Sequence, residues 1–260
     1  MGRVSPLSGE PLRLRCIEAV VEEGERFGVL AQALDHRAVP SGADLDVRVP
    51  WIPEWRARDL VGHLGTVHRW ATAIVQAGTT EPPPRGTQQQ PPTDGLPDWY
   101  AAGLTELVRT LRSTPPTSPA WHMSPAAEKV AASWARRQAH ELVVHRMDLE
   151  AAAGVPLTPV PPELAEDGVD ELIGIVVPRW ADTEPLSEAQ ARVAVTATDT
   201  GRSWSVQVDR GRVAVVPEPS GAEDARLSGP ATQLLLRLWG RPGDVTIEGD
   251  SAAEALLRGR

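Results

Sequence analysis

Residues 138–148 read QAHELVVHRMD and lie within a predicted helix that runs from about residue 125 to residue 153. Gly154 follows as a helix-terminating residue. Glu141 and His145 are four positions apart and therefore lie next to each other on one face of this helix. A carboxylate and an imidazole one turn apart can bind the same divalent cation. The spacing is common, however, and a metal site requires at least one further ligand.

His63 supplies a third candidate ligand from a second predicted helix, over residues 56–77. It lies among apolar residues rather than on a charged face, and Gly62 and Gly65 stand close to it. Each glycine costs a helix interior about 1 kcal/mol relative to alanine, which indicates close approach of a neighbouring helix or of a ligand. With Glu141 and His145, His63 gives three predicted protein ligands. Such a set leaves one coordination position of the metal open, as in catalytic zinc or similar divalent-metal sites. The cores of helical bundles often hold such sites.

Asp148 lies three positions after His145, and this spacing leaves two interpretations open. Its carboxylate could accept a hydrogen bond from the His145 ring and orient that ligand, or it could face solvent as a partner for Arg146 or Arg137. The remaining histidines show no comparable spacing, and we expect them to be structural or solvent-exposed: His36, His68, His122 and His140.

The segments around these candidate ligands are also predicted to be helical. In the first 180 residues, apolar side chains recur at the spacing that is typical of helices. The predicted helices cover about residues 13–34, 56–77, 97–113, 125–153 and 162–180. Proline-rich segments at 35–55 and 78–97 separate the first three helices and are expected to form loops. The N-terminal part of the chain is therefore predicted to be a helical bundle.

The pattern changes near residue 185, where apolar and polar side chains begin to alternate with a period of two. The predicted strands cover about 192–198, 203–209, 212–216, 225–228 and 244–248, and the short helices about 230–239 and 251–258. Residues 199–202, DTGR, indicate a hairpin turn between the first two strands. We therefore predict an α+β protein with two domains, residues 1–182 and residues 183–260.

Composition excludes several classes of protein. The 260 residues carry a net charge of −9, which argues against a nucleic-acid-binding protein. The apolar runs fall short of the roughly 18 residues that span a bilayer, and the N-terminus shows no secretory signal. A single cysteine, Cys16, excludes an internal disulfide and favours a buried, inert thiol. We expect a cytoplasmic protein without membrane or nucleic-acid partners, in which the nine tryptophans either line a cleft or fill the core.

Three segments resemble, in the expected order, the signatures of the mycothiol-dependent maleylpyruvate isomerase family. The first lies between residues 49 and 70 and includes RDLVGHL at 58–64 and VHRW at 67–70. The second lies at 140–148 and contains HEL and VHRMD. The third lies at 229–241 and contains GPA, LLL and LWGR. Because these segments span most of the chain, the resemblance is more specific than any one motif.

The resemblance implies a DinB-like four-helix metal-binding bundle followed by a small sterol-carrier-like α+β domain. It places the metal ligands of the family on His63, Glu141 and His145, with zinc as the expected metal. It also implies mycothiol, a low-molecular-weight thiol of actinobacteria, as cosubstrate, and a small electrophile as substrate. The 26 Lys and Arg residues include a single lysine, a skew that is compatible with such a host.

One segment departs from the family pattern. The loop before the second helix often reads Pro-x-Cys-Pro-Gly-Trp-Thr in the family, whereas residues 50–56 read PWIPEWR here. The cysteine, the glycine and the helix-capping threonine are absent. Because this loop is expected near the mouth of the active-site cleft, the resemblance leaves the substrate open.

The sequence therefore predicts a metal-dependent enzyme that uses a thiol, either a cis–trans isomerase of the maleylpyruvate isomerase type or an S-transferase. Two other functions stay open: a metal-dependent hydrolase that uses water at the same position, and a non-enzymatic protein that binds a metal or small ligand. Arg241, just after the predicted helix at 230–239, also has two interpretations. It could act as a catalytic residue that binds a carboxylate of the substrate or thiol, or it could cap the last carbonyls of that helix.

Overall fold

The computed structural model describes residues 10–181, 185–216 and 221–258. These residues form two compact units. Of the described residues, the first unit contains those up to His122 together with Glu128–Thr158, and the second contains Met123–Ala127 and those from Pro159 onward. The first is mainly helical, whereas the second contains a five-stranded sheet.

The first unit is a four-helix bundle. Its helices are α1 (Glu10–Asp35), α2 (Ala57–Ala77), α3 (Leu96–Ser113) and α4 (Ala131–Ala153). Both α1 and α2 pack against α3 and α4, which gives four helices around one core. The predicted α+β class with an N-terminal four-helix bundle is confirmed. Among the described residues, no helix is both long and apolar enough to cross a membrane.

The directions of α2 and α4 determine which of their residues meet. Trp70 of α2 packs against Trp134 of α4, with the two ring centroids 5.3 Å apart. His63 lies about two turns before Trp70, and its partner Glu141 lies about two turns after Trp134. The two helices therefore run antiparallel, and this arrangement brings His63 opposite the metal-ligand pair of α4.

A short hairpin precedes α2 within the segment that the sequence predicted to be a loop. Strands β1 (Arg48–Val49) and β2 (Ile52–Arg56) pair antiparallel, and β2 leads directly into α2. The prediction failed here because the strands are short and contain or flank prolines, which only edge strands tolerate. The helix start does not need the threonine of the family, since the Asp59 carboxylate accepts a hydrogen bond from the backbone N–H of Arg56 at 2.7 Å.

Two predicted helices differ from the observed ones. Helix α4 begins at Ala131 rather than near residue 125, because the preceding backbone is extended and pairs with residues 118–120. The predicted helix at 162–180 is regular only as α5 (Pro162–Glu171) and continues as a π-helical turn and a 3₁₀ turn to Trp180. Pro178 explains part of this irregularity, since it lacks the N–H that a regular helix requires.

The second unit contains the predicted strands in one sheet. In chain order they are β3 (Gln190–Ala197), β4 (Ser203–Asp209), β5 (Arg212–Val216), β6 (Ala225–Gly229) and β7 (Thr246–Gly249). The strands are arranged in the order β5-β4-β3-β6-β7, and β3 and β6 are parallel while the other pairs are antiparallel. Helices α6 (Ala231–Leu238) and α7 (Ser251–Ala255) complete the unit.

The boundary between the units differs from the prediction. The sequence placed it after residue 182, in a segment outside the described residues, whereas the units separate after Thr158. Helix α5 packs against α6 and therefore belongs with the sheet. The change of periodicity near residue 185 marks where strands begin. This change of periodicity does not show which element packs against the apolar face of the preceding helix.

Candidate metal centre

The three predicted ligands lie together inside the four-helix bundle. Nε2 of His63 lies 2.9 Å from Oε1 of Glu141, and Nε2 of His145 lies 3.4 Å from the same oxygen. One ligand atom from each residue lies within 4.8 Å of the other two. Ligand atoms at a tetrahedral zinc ion are roughly 3.4 Å apart, so the observed spacing fits such an ion. All three side chains keep some exposed surface, which allows a further ligand to approach.

Asp148 contacts the far side of the His145 ring. Its Oδ2 lies 2.8 Å from Nδ1 of His145, and the Asp148 side chain is fully buried. The interpretation of Asp148 as a solvent-facing residue is therefore wrong, and the orienting contact is present. With Nδ1 in this hydrogen bond, Nε2 of His145 is left to face Glu141 and His63.

Arg137 belongs to the same cluster, although the sequence analysis considered it only as a possible solvent-facing partner of Asp148. Its guanidinium donates a hydrogen bond to Oε2 of Glu141, and its side chain is almost completely buried. The signal was present in the sequence, because Arg137 precedes Glu141 by four residues on the same helix face. The same spacing also occurs in exposed ion pairs, so spacing alone could not show the burial.

The charges of the cluster shift the pKa values of two ligands. Burial would raise the pKa of the Glu141 carboxyl, but the Arg137 guanidinium and the two imidazoles hold it well below its usual range. Burial would lower the pKa of His145, but hydrogen bonds to Asp148 and Glu141 raise it to about 9. Without a metal, an ionised carboxylate therefore lies beside a protonated imidazole, and a cation would have to displace that proton.

Trp55 lines one side of the candidate centre. The β1–β2 hairpin carries this half-buried ring to 5.0 Å from the His63 ring and 6.1 Å from the His145 ring, measured between centroids. Its plane is tilted only 21° from that of His145. Trp55 therefore lies beside the candidate ligands, whereas Trp134 fills the bundle core and is fully buried.

His68 is structural, as expected, but its environment is unusual. The side chain has no exposed surface, and neither ring nitrogen has a hydrogen-bond partner within the described part of the chain. Burial lowers the pKa of His68 to about 3, so the ring is neutral. Its ring packs against Tyr100 of α3, with the centroids 5.1 Å apart.

The two glycines near His63 allow close packing against other protein segments rather than against a ligand. A Cβ atom at Gly65 would lie 2.3 Å from a ring atom of Trp99 on α3. A Cβ atom at Gly62 would lie 3.2 Å from Pro91. The prediction of close approach by a neighbouring helix is therefore confirmed at Gly65.

Arg241 lies in the second unit, just after α6. Its guanidinium donates a hydrogen bond to the carbonyl of Trp239, and its backbone N–H donates to the carbonyl of Leu236 at 2.8 Å. Gly240 between them has a φ of +74°, which is the left-handed conformation typical of helix ends. The helix-capping contact is therefore present, and a catalytic role stays a prediction.

Two models of known protein families match the chain. The family model described as the mycothiol maleylpyruvate isomerase N-terminal domain matches residues 29–150, which include all three candidate ligands. The model described as the MDMPI C-terminal domain matches residues 163–256. The chain belongs to the mycothiol maleylpyruvate isomerase family. The second match begins within α5, in agreement with the unit boundary near Thr158.

Solved structures of the mycothiol maleylpyruvate isomerase family share the fold. A crystal structure of the mycothiol-dependent maleylpyruvate isomerase matches with a TM-score of 0.63 and 14% identity over 94% of each chain. A histidine-to-alanine mutant of that isomerase matches with a TM-score of 0.62 and 12% identity, again over 94% of each chain. At these identities the similarity establishes the fold alone. No curated protein matches the chain.

Proposed function

We propose that the chain is a divalent-metal-dependent enzyme that uses mycothiol to transform a small electrophile. His63, Glu141 and His145 are the proposed ligands, and zinc is the proposed metal. The observation that carries the proposal is the convergence of two imidazole nitrogens on one carboxylate oxygen, with part of each side chain exposed. Such a set of two histidines and one glutamate suits a catalytic site, since it leaves a position for a further ligand.

Each residue of the cluster has a separate task in this proposal. Asp148 holds Nδ1 of His145, so that Nε2 points toward the metal position. Glu141 presents Oε1 to the same position, while Arg137 holds Oε2. Trp55 forms an apolar wall beside the two imidazoles and excludes water from that side. A bound divalent cation would lower the pKa of a thiol and make its thiolate available near neutral pH.

The proposed reaction is a cis–trans isomerisation of the maleylpyruvate isomerase type. The sulfur of the thiol adds to an activated carbon–carbon double bond, and the new single bond rotates. Elimination then returns the thiol and the trans product. The altered segment at residues 50–56 supports an alternative with the same first step, in which the chain is an S-transferase and the sulfur adduct is released. This segment places Trp55 beside the candidate ligands, so its departure from the family pattern would change which substrate binds.

We also propose that Arg241 binds a carboxylate of the substrate or of mycothiol. A planar guanidinium can pair with a carboxylate through two parallel hydrogen bonds, which a lysine cannot do. The match of the C-terminal family domain over residues 163–256 supports a contribution from the second unit, since it includes Arg241.

Turnover by the zinc-loaded protein tests the proposal. The protein should convert maleylpyruvate or another electrophile from a panel of activated alkenes only when both zinc and mycothiol are present. His63→Ala should abolish turnover and stoichiometric zinc binding, whereas His36→Ala, at an exposed turn after α1, should change neither. Release of hydrolysis products with zinc but without any thiol would instead support the hydrolase. A protein that binds no zinc and turns over no substrate would support the non-enzymatic alternative.

A further inference from the structure

The first unit contains a cavity of about 330 Å³ that is lined by one face of α2, by the proline-rich segment 79–89 and by Trp121. This volume is within the range of about 300–1,000 Å³ that is typical of cavities for small ligands. None of the three candidate metal ligands is among the lining residues. Trp70, which lines the cavity, lies about two turns along α2 from His63. The cavity is therefore separate from the candidate metal centre.

The walls of this cavity are mostly apolar. Trp70 and Ile74 lie one turn apart on the same face of α2, and both line the cavity. The ring of Trp70 meets that of Trp121 edge-on, with the centroids 5.9 Å apart. Both tryptophans are only half-buried, so they keep surface that a ligand can cover. The prolines at 82–84 also line the cavity. Such walls suit the apolar body of a ligand, and an aromatic ring in particular.

Hydrogen bonds attach the proline-rich segment 79–89 to the rest of the first unit near both of its ends. Oγ1 of Thr66, on α2, donates to the carbonyl of Gln89 at 3.1 Å. Nζ of Lys129 donates to the carbonyl of Thr80 at 3.4 Å. The wall that this segment contributes to the cavity is therefore anchored on both sides.

Arg69 adds a positive charge to the lining of the cavity. Its guanidinium lies over the Trp99 ring, 3.9 Å from the centroid, and donates to the carbonyls of Gly65 and Trp99 at 3.0 and 2.7 Å. These bonds use two of the five N–H groups of an arginine. Within the described part of the chain no carboxylate pairs with Arg69, and burial lowers its pKa below the usual value. A half-buried cation without a counter-ion would stabilise the carboxylate of a ligand.

Glu81 is the other charged residue among the described lining of the cavity. Its side chain is exposed, so solvent screens its charge more than that of the half-buried Arg69. A ligand with a second carboxylate would find no second cation in the lining and would be repelled by Glu81. We propose that the cavity binds a small molecule in which an aromatic or other apolar body carries a single carboxylate. This binding site is additional to the metal centre and does not depend on the proposed function.

Calorimetric titration of the metal-free protein with indole-3-propionate and with 3-phenylpropionate tests the proposal. Each acid is compared with its primary amide, which has a similar shape but no charge. At least one acid should bind, and it should bind about tenfold or more tightly than its amide, because only the acid pairs with the charge of Arg69. His63→Ala should bind the acid as tightly as the wild type, since the cavity does not include the metal centre.

Two variants change the cavity in different ways. Ala73 is exposed on α2 and lines the cavity, so Ala73→Phe should fill it and weaken binding of acid and amide alike by about tenfold or more. Arg69→Gln should abolish the preference for the acid, because the charge is lost. Ala101→Phe, at an exposed position of α3 outside the lining, is the control for the added ring. Arg13→Gln is the control for loss of an arginine that donates to backbone carbonyls, and neither control should change the affinity for the acid.

Four results would overturn the proposal. Neither acid could bind, or acid and amide could bind the wild type equally, which would remove the role of the charge. Unchanged affinity in Ala73→Phe would show that the acid does not occupy the cavity, and loss of binding in His63→Ala would place the acid at the metal centre. If Arg69→Gln does not fold, the comparison of acid with amide in the wild type still tests the charge, and Ala73→Phe still tests the cavity.

Discussion

Asp148 hydrogen-bonds to Nδ1 of His145 at 2.8 Å from a fully buried position. The bond fixes the ring so that Nε2 faces Glu141. Asp148→Asn should weaken zinc binding by about 10- to 100-fold, because the amide holds the ring less firmly and is uncharged. Chelator competition measures this loss. Asp35→Asn, at an exposed position at the end of α1, should leave zinc affinity unchanged. Equal affinities for Asp148→Asn and the wild type would show that the contact does not orient a ligand.

Zinc binding should release about one proton at pH 7.5, since His145 is protonated without metal. Its pKa is about 9 in the folded protein against 6.5 in a free side chain, because hydrogen bonds to Asp148 and Glu141 outweigh the opposite effect of burial. Zinc ligation requires the neutral ring, so zinc affinity should rise with pH up to about 9. Calorimetry in buffers with different ionisation enthalpies counts the protons. A count of zero at pH 7.5 would contradict the role of His145.

The raised pKa of His145 also predicts that the metal-free protein becomes less stable as pH rises, whereas zinc affinity increases. Folded His145 keeps its proton up to pH 9, whereas the unfolded chain loses it near 6.5. The resulting stabilisation is complete below pH 6.5 and is lost as pH rises to 9. Unfolding in urea at several pH values measures this loss, and His145→Ala should remove the dependence in this range. A dependence that persists in His145→Ala would come from other groups.

His68→Leu should stabilise the protein, and more so in acid. Burial lowers the pKa of His68 to about 3, so between pH 6.5 and 3 only the unfolded chain binds the proton. The free energy of unfolding of the wild type should therefore fall by about 1.4 kcal/mol per pH unit as pH decreases through this range. His68→Leu removes this loss because leucine does not titrate. It also removes the two unpaired ring nitrogens, which should raise the free energy of unfolding by about 1–3 kcal/mol at pH 7.

Urea unfolding of the His68 variant and the wild type at pH 7 and pH 5 measures both effects. His36→Leu serves as the control for replacing a histidine by leucine, because His36 is exposed whereas His68 is buried. A difference between His68→Leu and the wild type that stays constant with pH would contradict the low pKa of His68.

Gly65→Ala should destabilise the bundle by about 1–3 kcal/mol, because its Cβ would lie 2.3 Å from the Trp99 ring and force that ring to move. Gly174→Ala is the control, since nothing lies within 4 Å of a Cβ at this helical position. It should be neutral or stabilise by up to about 1 kcal/mol. Thermal melting compares the two, and a neutral Gly65→Ala would show that Trp99 moves aside easily.

Arg241→Lys distinguishes carboxylate binding from helix capping. Lysine keeps the charge that favours a helix C-terminus but loses the planar fork. If Arg241 binds a carboxylate, kcat/KM for mycothiol-dependent turnover should fall by at least about tenfold with an unchanged melting temperature. Arg226→Lys, at an exposed arginine in the same unit, should not affect turnover. Unchanged kinetics in Arg241→Lys would rule out carboxylate binding by the planar guanidinium.

The sequence indicated the candidate ligands because part of their arrangement is local. Glu141 and His145 are one turn apart in any helix that contains them. His63 was recognisable because a histidine among apolar residues and glycines is unusual on a helix. The role of Arg137 was not recognisable, because an arginine four residues before a glutamate occurs on exposed and buried helix faces alike. Burial of that face depends on which other helices pack against it.

The sequence by itself determined the helices of the bundle, most strand positions and the change from helical to strand periodicity, since each depends on side-chain spacing within a short segment. The tertiary structure alone decided that α5 joins the sheet, that a hairpin carries Trp55 to the imidazoles, and that Asp148 is buried against His145. The physical reason is that these features depend on which helix and strand faces pack together and become buried. This packing involves residues that are far apart in the chain, so the periodicity of a short segment cannot predict it.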